Sequence, residues 1–438
     1  MTKKAGIKIG LAGLGTVGQG VWKHLRARKP ELETRMGTTF SLERAAVRDL
    51  AKKRSVRIGK KALTDDAMAL ATDPEIDVLC EMMGGTGHAL EVTKAALNKG
   101  KTVVTANKAL LCHHGEKLFR LAKQKDAHIY FEASVAGGIP IIKALREGLV
   151  VNHFPLIYGI LNGTCNYILT RMEREGKTFE TILDDARRLG YVEADESLDL
   201  DGLDAAHKTV IIAYLAHGKW IPLKKMPVEG IREVTLEDIQ WAQRLGFKIK
   251  LLSLILRDFE NGHVFASVQP ALVPKDMVLA NVDGVFNAIS VTGDIVGESV
   301  YIGRGAGQDA TASAVISDVV DAGTAIAHGI MPEEPVNRED LELACLKDVY
   351  RSFYIRLAVK DQPGVLAEVA SVLSSEGVSI ETVLQRPNGA KGSANLVLTT
   401  HVCSEAAMKA AVSKLSRRKA LMKKPFLLRI ADFAQRLG

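Results

Sequence analysis

The chain of 438 residues contains no run of about eighteen or more uncharged apolar residues, the length a helix needs to cross a bilayer. That argues against a membrane span. Cysteine is scarce: Cys80, Cys112, Cys165, Cys345 and Cys403 are odd in number, scattered, and never spaced like a metal-binding pair. Such usage excludes a disulfide framework and suits reduced thiols, acting as small buried apolar residues in a cytoplasmic protein. Internal repeats and low-complexity tracts are absent. Lysines precede an apolar run in MTKKAGIKIGLAGLG, but the run is glycine-rich and leads into a nucleotide-binding pattern, so it reads as a first strand rather than a signal peptide. The net charge is +7, yet the tightest basic cluster (Arg417, Arg418, Lys419, Lys423, Lys424) has no interleaved aromatics. It reads as a solvated face, with no nucleic-acid partner expected. Anionic cofactors also suit a mildly basic protein.

What is present is 47% hydrophobic residues, enough for two or three domains with their own cores. The first part alternates short apolar runs (7–11, 41–47, 78–82, 102–105 and 128–132) with helical periodicity. This is a βαβ pattern and implies a parallel sheet covered on both faces over residues 1–140. Residues 30–40 read as an insertion before the second strand. From 141 to 330 the texture becomes α+β, with helices near 180–189, 203–217 and 235–246 and a strand near 250–256. HGIMPEEPVNRED, at 328–340, reads as a linker, so residues 331–350 divide this part from a last module at 351–438. There the order βαββαβ indicates a ferredoxin-like fold.

Gly13, Gly15 and Gly18 form a GxGxxG between a predicted strand and the helix that follows. Gly13 would permit the tight turn, Gly15 the approach of a pyrophosphate, and Gly18 close helix–strand packing. The amides at the helix start, at Thr16 and Val17, would face the phosphates. The acid expected on the ribose comes late, at the strand end Val47-Arg48-Asp49. Arg48 and Lys52, with Lys53, suit a 2′-phosphate, whereas Asp49 suits a free ribose hydroxyl. The cations outnumber the acid and favour NADP over NAD.

Thr105-Ala106-Asn107-Lys108 ends a strand on the carboxyl edge, where ligands of doubly wound sheets bind. Lys108 is a candidate to meet a substrate oxygen near the nicotinamide; the plain alternative is a surface lysine. Glu132, at the start of the Gly-rich bend EASVAGGIP, offers oxygen ligands for a hard cation together with exposed carbonyls, and a bland turn would look similar. GYVEADESLDLDGLDAAHK, at 190–208, carries six carboxylates before its lysine. A solvated loop, a divalent-metal site and a clamp for a cationic substrate all fit that density. Asp204 and Lys208 lie four apart on one helical face, and a routine ion pair would have the same spacing. The lysine, and the lack of His or Asn at ligand spacing, disfavour a divalent metal. Carboxylates with an ammonium suit a zwitterionic amino acid.

Taken together, GLAGLGTVGQG, EMMGG, VVTANKALL, FEASVAGGIPII, ILNGTCNYIL, the acidic stretch, PVEGI and GRGAGQDATASAVISD resemble the homoserine dehydrogenase family, in its order, over about residues 5–330. The last module, with Asp361-Gln362-Pro363-Gly364-Val365-Leu366 opening its first helix, resembles an ACT domain. The resemblance implies a Rossmann-type dinucleotide domain, an α+β substrate and dimerisation domain, and a regulatory module. It further implies NAD(P)-dependent interconversion of L-aspartate 4-semialdehyde and L-homoserine in threonine and methionine synthesis. Matching positions for substrate binding and catalysis are Glu193, Asp204, Lys208 and Lys108, with Glu193 on the substrate ammonium; Gly190 and Asp199 are further substrate-binding candidates. Lys208 is the proton-transfer group, Asp204 its orienting partner and Lys108 the alternative proton carrier. Glu132, Val135, Gly137 and Ile139 match a monovalent-cation site, for Na+. Lys108 and Gly303 join the cofactor positions, and Arg304 stands where the family's GPGAG loop has proline. Threonine as effector, and a homodimer or homotetramer, are further expectations.

Overall fold

The computed structural model describes residues 6–188, 196–330, 341–387 and 392–431. These divide into two compact units. One comprises Met1–Asn152, His207–Lys225 and Tyr301–Arg338; the other comprises His153–Ala206, Met226–Val300 and Glu339–Gly438. The sequence boundaries divide the chain by motif, whereas the compact units interleave along it.

The first unit is built on six parallel strands: β1 (Ile7–Ala12), β2 (Phe40–Ala46), β3 (Leu63–Thr64), β4 (Val78–Glu81), β5 (Thr102–Thr105) and β6 (Ile129–Tyr130). Their order is β3-β2-β1-β4-β5-β6. All residues of β4 and β5 are buried, as expected for strands covered on both faces. The order reverses beside β1, between β2 and β4, which opens a crevice at the carboxyl ends of the strands.

The insertion read at residues 30–40 is largely helical. Lys29–Met36 is a helix that begins with proline at its first turn and ends at Gly37 in the left-handed conformation. Only Met36 of this helix is buried, so its sequence carries no apolar period to announce it. The helix Gln308–His328 is long and apolar enough to cross a membrane. Its apolarity is used otherwise: Ala312, Val315, Val319 and Ala322 join Ile7, Ile9, Leu11, Val78 and Val104 in one core.

The second unit carries a mixed sheet ordered β11-β10-β7-β8-β9-β17-β13-β15-β14. Its first part is β7 (Leu156–Ile160), β8 (Phe247–Asp258), β9 (His263–Pro274), β10 (Phe286–Gly293) and β11 (Gly297–Arg304). The two-residue strand β12 (Glu342–Leu343) pairs with the start of β9. The C-terminal module adds β13 (Tyr350–Lys360), β14 (Ile380–Pro387), β15 (Ser393–Thr400), β16 (Cys403–Ser404) and β17 (Phe426–Ile430). Its helices Val365–Ser375 and Glu405–Leu415 pack on this sheet through Val369, Leu373, Met408 and Leu415. This is the expected ferredoxin-like module, but it is not an isolated bead. β17 also pairs in parallel with β9 at Arg429–Ala271 and Ile430–Leu272, so one sheet runs through both parts.

All five cysteines are free thiols. Cys80, Cys165 and Cys403 are buried as expected, while Cys112 is half-buried and Cys345 exposed. The basic cluster at 417–424 is exposed throughout its five cations.

Candidate active site

At the switch point, Gly13 has φ +106°, and a Cβ there would lie 2.6 Å from the Met82 carbonyl oxygen. A Cβ on Gly18 would lie 2.3 Å from the Gly13 carbonyl oxygen. Both positions therefore exclude side chains. Gly15 differs, since a Cβ there would meet nothing within 4 Å. It caps the helix Thr16–Ala27, which has no side-chain cap and no acid in its first turn. The first amides of a helix lack intrahelical acceptors, so those of Thr16 and Val17 are available to an anion. The residues present fit a pyrophosphate, and Gly15 leaves room for it.

The basic loop after β2 closes on itself. Asp49 Oδ1 accepts from the amides of Ala51 (2.8 Å) and Lys52 (3.2 Å), and Arg54 donates to the carbonyls of Asp49 (2.6 Å) and Lys52 (2.8 Å). The Asp49 carboxylate thus holds a turn, while Arg48, Lys52 and Lys53 stand exposed. The loop carrying Gly303 packs on the bend at Gly137–Ile139. The Gly138 amide donates to the Arg304 carbonyl at 2.9 Å, and a Cβ on Gly303 would lie 2.9 Å from Ile139. Gln308, just past that loop, donates to the Thr16 carbonyl at 3.0 Å.

The carboxyl ends of β4 and β5 hold a group that sequence reasoning missed. Glu81 is fully buried and accepts from the Thr105 hydroxyl (2.7 Å) and the Met83 amide (2.9 Å). Asn107 donates to the Gly85 carbonyl (2.8 Å) and caps the next helix by accepting from the Leu110 amide. Burial pushes the Glu81 carboxyl above the usual range, and the hydrogen bonds from Thr105 and Met83 oppose it. The available signal was a carboxylate ending the otherwise apolar strand VLCE. Lys108, half-buried, begins the helix Lys108–Gln124 directly after Asn107.

That helix packs against the later turns of Leu203–His217. His113 meets His207 edge-on at 5.2 Å, and Phe119 contacts Tyr214. Trp220 stacks on Tyr214 at 4.1 Å and fills the space over Gly115, where a Cβ would lie 2.2 Å from the indole. Lys208 and Asp204 are both buried, one turn apart on their helix.

The acidic stretch sorts by partner. Gly190 and Glu193 lie outside the described residues. Glu196 pairs with Arg187 and Asp201 with Arg232, each at 2.6 Å. Asp199 and Asp204 instead converge on Asn162, whose amide nitrogen lies 2.7 Å from one and 2.9 Å from the other. Thr164 adds a hydroxyl to Asp199 at 3.1 Å. Asn162 and Thr164 come from ILNGT, in which no single residue had been singled out.

In the bend after β6, the Glu132 carboxylate accepts from the amides of Ile142 (2.9 Å) and Lys143 (2.8 Å). Burial raises its pKa, against the pull of those amides. Ala136 and Gly137 take positive φ, and the Ile139 amide returns to the Ala136 carbonyl at 2.9 Å. Among the described residues no group of three or more His, Cys, Asp or Glu side chains could hold a metal ion. A cation at Glu132, Val135, Gly137 and Ile139 would therefore depend on backbone carbonyls.

Comparison with known proteins identifies the family. The model of the homoserine dehydrogenase NAD-binding domain matches residues 13–132, that of homoserine dehydrogenase residues 140–320, and that of the ACT domain residues 353–419. The homoserine dehydrogenase of Pseudomonas aeruginosa is 40% identical over 421 residues, covering 93% of this chain and 95% of that one. That of Bacillus subtilis is 40% identical over 402 residues, covering 91% and 92%. The crystal structure of a homoserine dehydrogenase from Thiobacillus denitrificans superposes with a TM-score of 0.91 at 39% identity, covering 99% of each chain. A hyperthermophilic archaeal homoserine dehydrogenase in complex with NADPH matches 72% of this chain and 97% of its own, with a TM-score of 0.60 at 27% identity. The chain belongs to the homoserine dehydrogenase family, NAD(P)-dependent oxidoreductases acting on a CH–OH group, and carries a C-terminal ACT domain.

Proposed function

We propose that the chain interconverts L-homoserine and L-aspartate 4-semialdehyde with NADP(H) as preferred cofactor, in threonine and methionine synthesis. The observation that carries this reading is the convergence of Asp199 and Asp204 on one amide, with Lys208 a turn beyond Asp204. Two carboxylates suit the substrate ammonium, and an ammonium suits its reacting oxygen. Glu193 and Gly190 complete the substrate site. A bound nicotinamide supplies or takes up the hydride at the carbon that bears this oxygen. Lys208 stabilises the negative charge developing on the oxygen and delivers the proton; in oxidation its neutral amine removes the hydroxyl proton. Asp204 orients Lys208 and the substrate, with Lys108 as the alternative proton carrier.

The NADP preference rests on Arg48 and Lys52, which stand exposed, while one oxygen of Asp49 holds its own turn. Glu132, Val135, Gly137 and Ile139 bind a monovalent cation, Na+, through oxygen. Residues 1–140 hold the cofactor, 141–330 serve substrate binding and dimerisation, and 351–438 sense threonine. The protein works as a cytoplasmic homodimer or homotetramer. The test is oxidation of L-homoserine against L-serine and other amino acids with NADP+ at alkaline pH, where proton release favours the reaction. Turnover confined to L-homoserine supports the reading, and equal or greater turnover of another amino acid overturns it.

A further inference from the structure

We infer that Asn162 is the positioning residue that binds Asp199 and Asp204 into one ammonium clamp. A side-chain amide has two N–H donors and one acceptor oxygen. Both donors are spent on the carboxylates, at 2.7 Å to Asp199 Oδ1 and 2.9 Å to Asp204 Oδ2. Its oxygen accepts from the Cys165 amide at 2.8 Å and caps the helix Gly163–Glu175. This fixes the amide's orientation, because the flipped form would set its oxygen against two carboxylates and its NH2 against an N–H. Asn162 is itself buried, at the end of the loop from β7.

The two acids come from separate helices, the one-turn Ser197–Leu200 and the long Leu203–His217, and as like charges they repel. A neutral double donor between them offsets that repulsion without neutralising either one, as a lysine or arginine would. The Thr164 hydroxyl holds the second oxygen of Asp199, and the Cys165 thiol reaches the Asp199 carbonyl at 3.2 Å. ILNGT therefore acts on substrate through the acids it aligns. This rests on the reading of Asp199 and Asp204 as ammonium-binding carboxylates.

Asn162→Ser and Asn162→Asp both retain a good helix cap, but neither can donate to two carboxylates. Both should fold with circular dichroism like the parent. The KM for L-homoserine should rise about tenfold or more, more in the Asp variant, with the KM for NADP+ unchanged. An unchanged homoserine KM in the folded Ser variant overturns the inference. So does a proportionate change in both KM values accompanied by lost thermal stability, since that is the mark of a cap alone. Asp199→Asn and Asp204→Asn run alongside. If they leave the homoserine KM unmoved, the carboxylate reading itself fails; if they raise it while the Asn162 variants do not, only the role of Asn162 falls.

Discussion

Asp201 and Asp204 stand three residues apart, yet one faces Arg232 and the other faces Asn162. Spacing alone could not separate them, because their partners lie 31 and 42 positions away. The glycines of the nucleotide loop are legible because the turn at Gly13 and the close contact at Gly18 are local, although Gly13 also faces the distant Met82 carbonyl. Glu81 was not, because what makes it unusual is burial against Thr105, 24 residues on. Its raised pKa has a consequence for stability. The folded state protonates Glu81 more readily than the unfolded chain, so its burial costs nothing below about pH 4 and progressively more as pH rises through the folded pKa. Glu81→Gln is neutral at every pH. It should raise the thermal midpoint relative to the parent near neutrality, with the gain fading toward acid; a gain independent of pH contradicts the assignment. At the other end of the crevice, Arg48→Ala should raise the KM for NADPH by about tenfold or more while barely moving that for NADH. Equal effects on the two cofactors would remove the 2′-phosphate assignment.

Elements built on a largely apolar run are legible nearly to the residue, as with β5 and Leu203–His217. The polar helix Lys29–Met36 and the two-residue β3 have too little apolar pattern to be seen. Joints between elements were also invisible. Asp238 is fully buried and forms a capping box with Thr235 at the start of Leu236–Arg244. The same carboxylate receives the Tyr354 hydroxyl at 3.0 Å and the Arg356 guanidinium at 2.6 and 3.0 Å, both from β13. It therefore ties the ACT sheet to a helix of the part that precedes it in the chain. Asp238→Ala removes the returning half of the capping box, with Thr235 still the N-cap, and takes from Arg356 the carboxylate it pairs with. Chemical denaturation should show a loss of about 3–5 kcal/mol. A loss below about 1 kcal/mol would mean the joint is made elsewhere.

At the scale of the whole molecule, motif order matches the succession of family domains but not the compact units, because chain segments return to earlier ones after long excursions. The pairing of β17 with β9 has no local signal either; it joins residues more than 150 positions apart in one sheet. Deleting the ACT domain would uncover the edge of β9, so its ligand is better sought on the full chain. L-threonine at a hundred times its Kd should stabilise the protein by about 2.7 kcal/mol, seen as a rise in thermal midpoint that L-alanine does not cause. No rise with threonine at any concentration would exclude it as the ACT ligand.

The central claim is that this chain moves a proton through Lys208 while oxidising L-homoserine. The most direct measurement is nicotinamide absorbance with L-homoserine and NADP+, for the parent and Lys208→Ala side by side. The parent should reduce NADP+, and the variant should lose about 100-fold or more in kcat while still binding the cofactor. A parent that does not reduce NADP+ on L-homoserine, or a variant that turns over like the parent, would contradict the account.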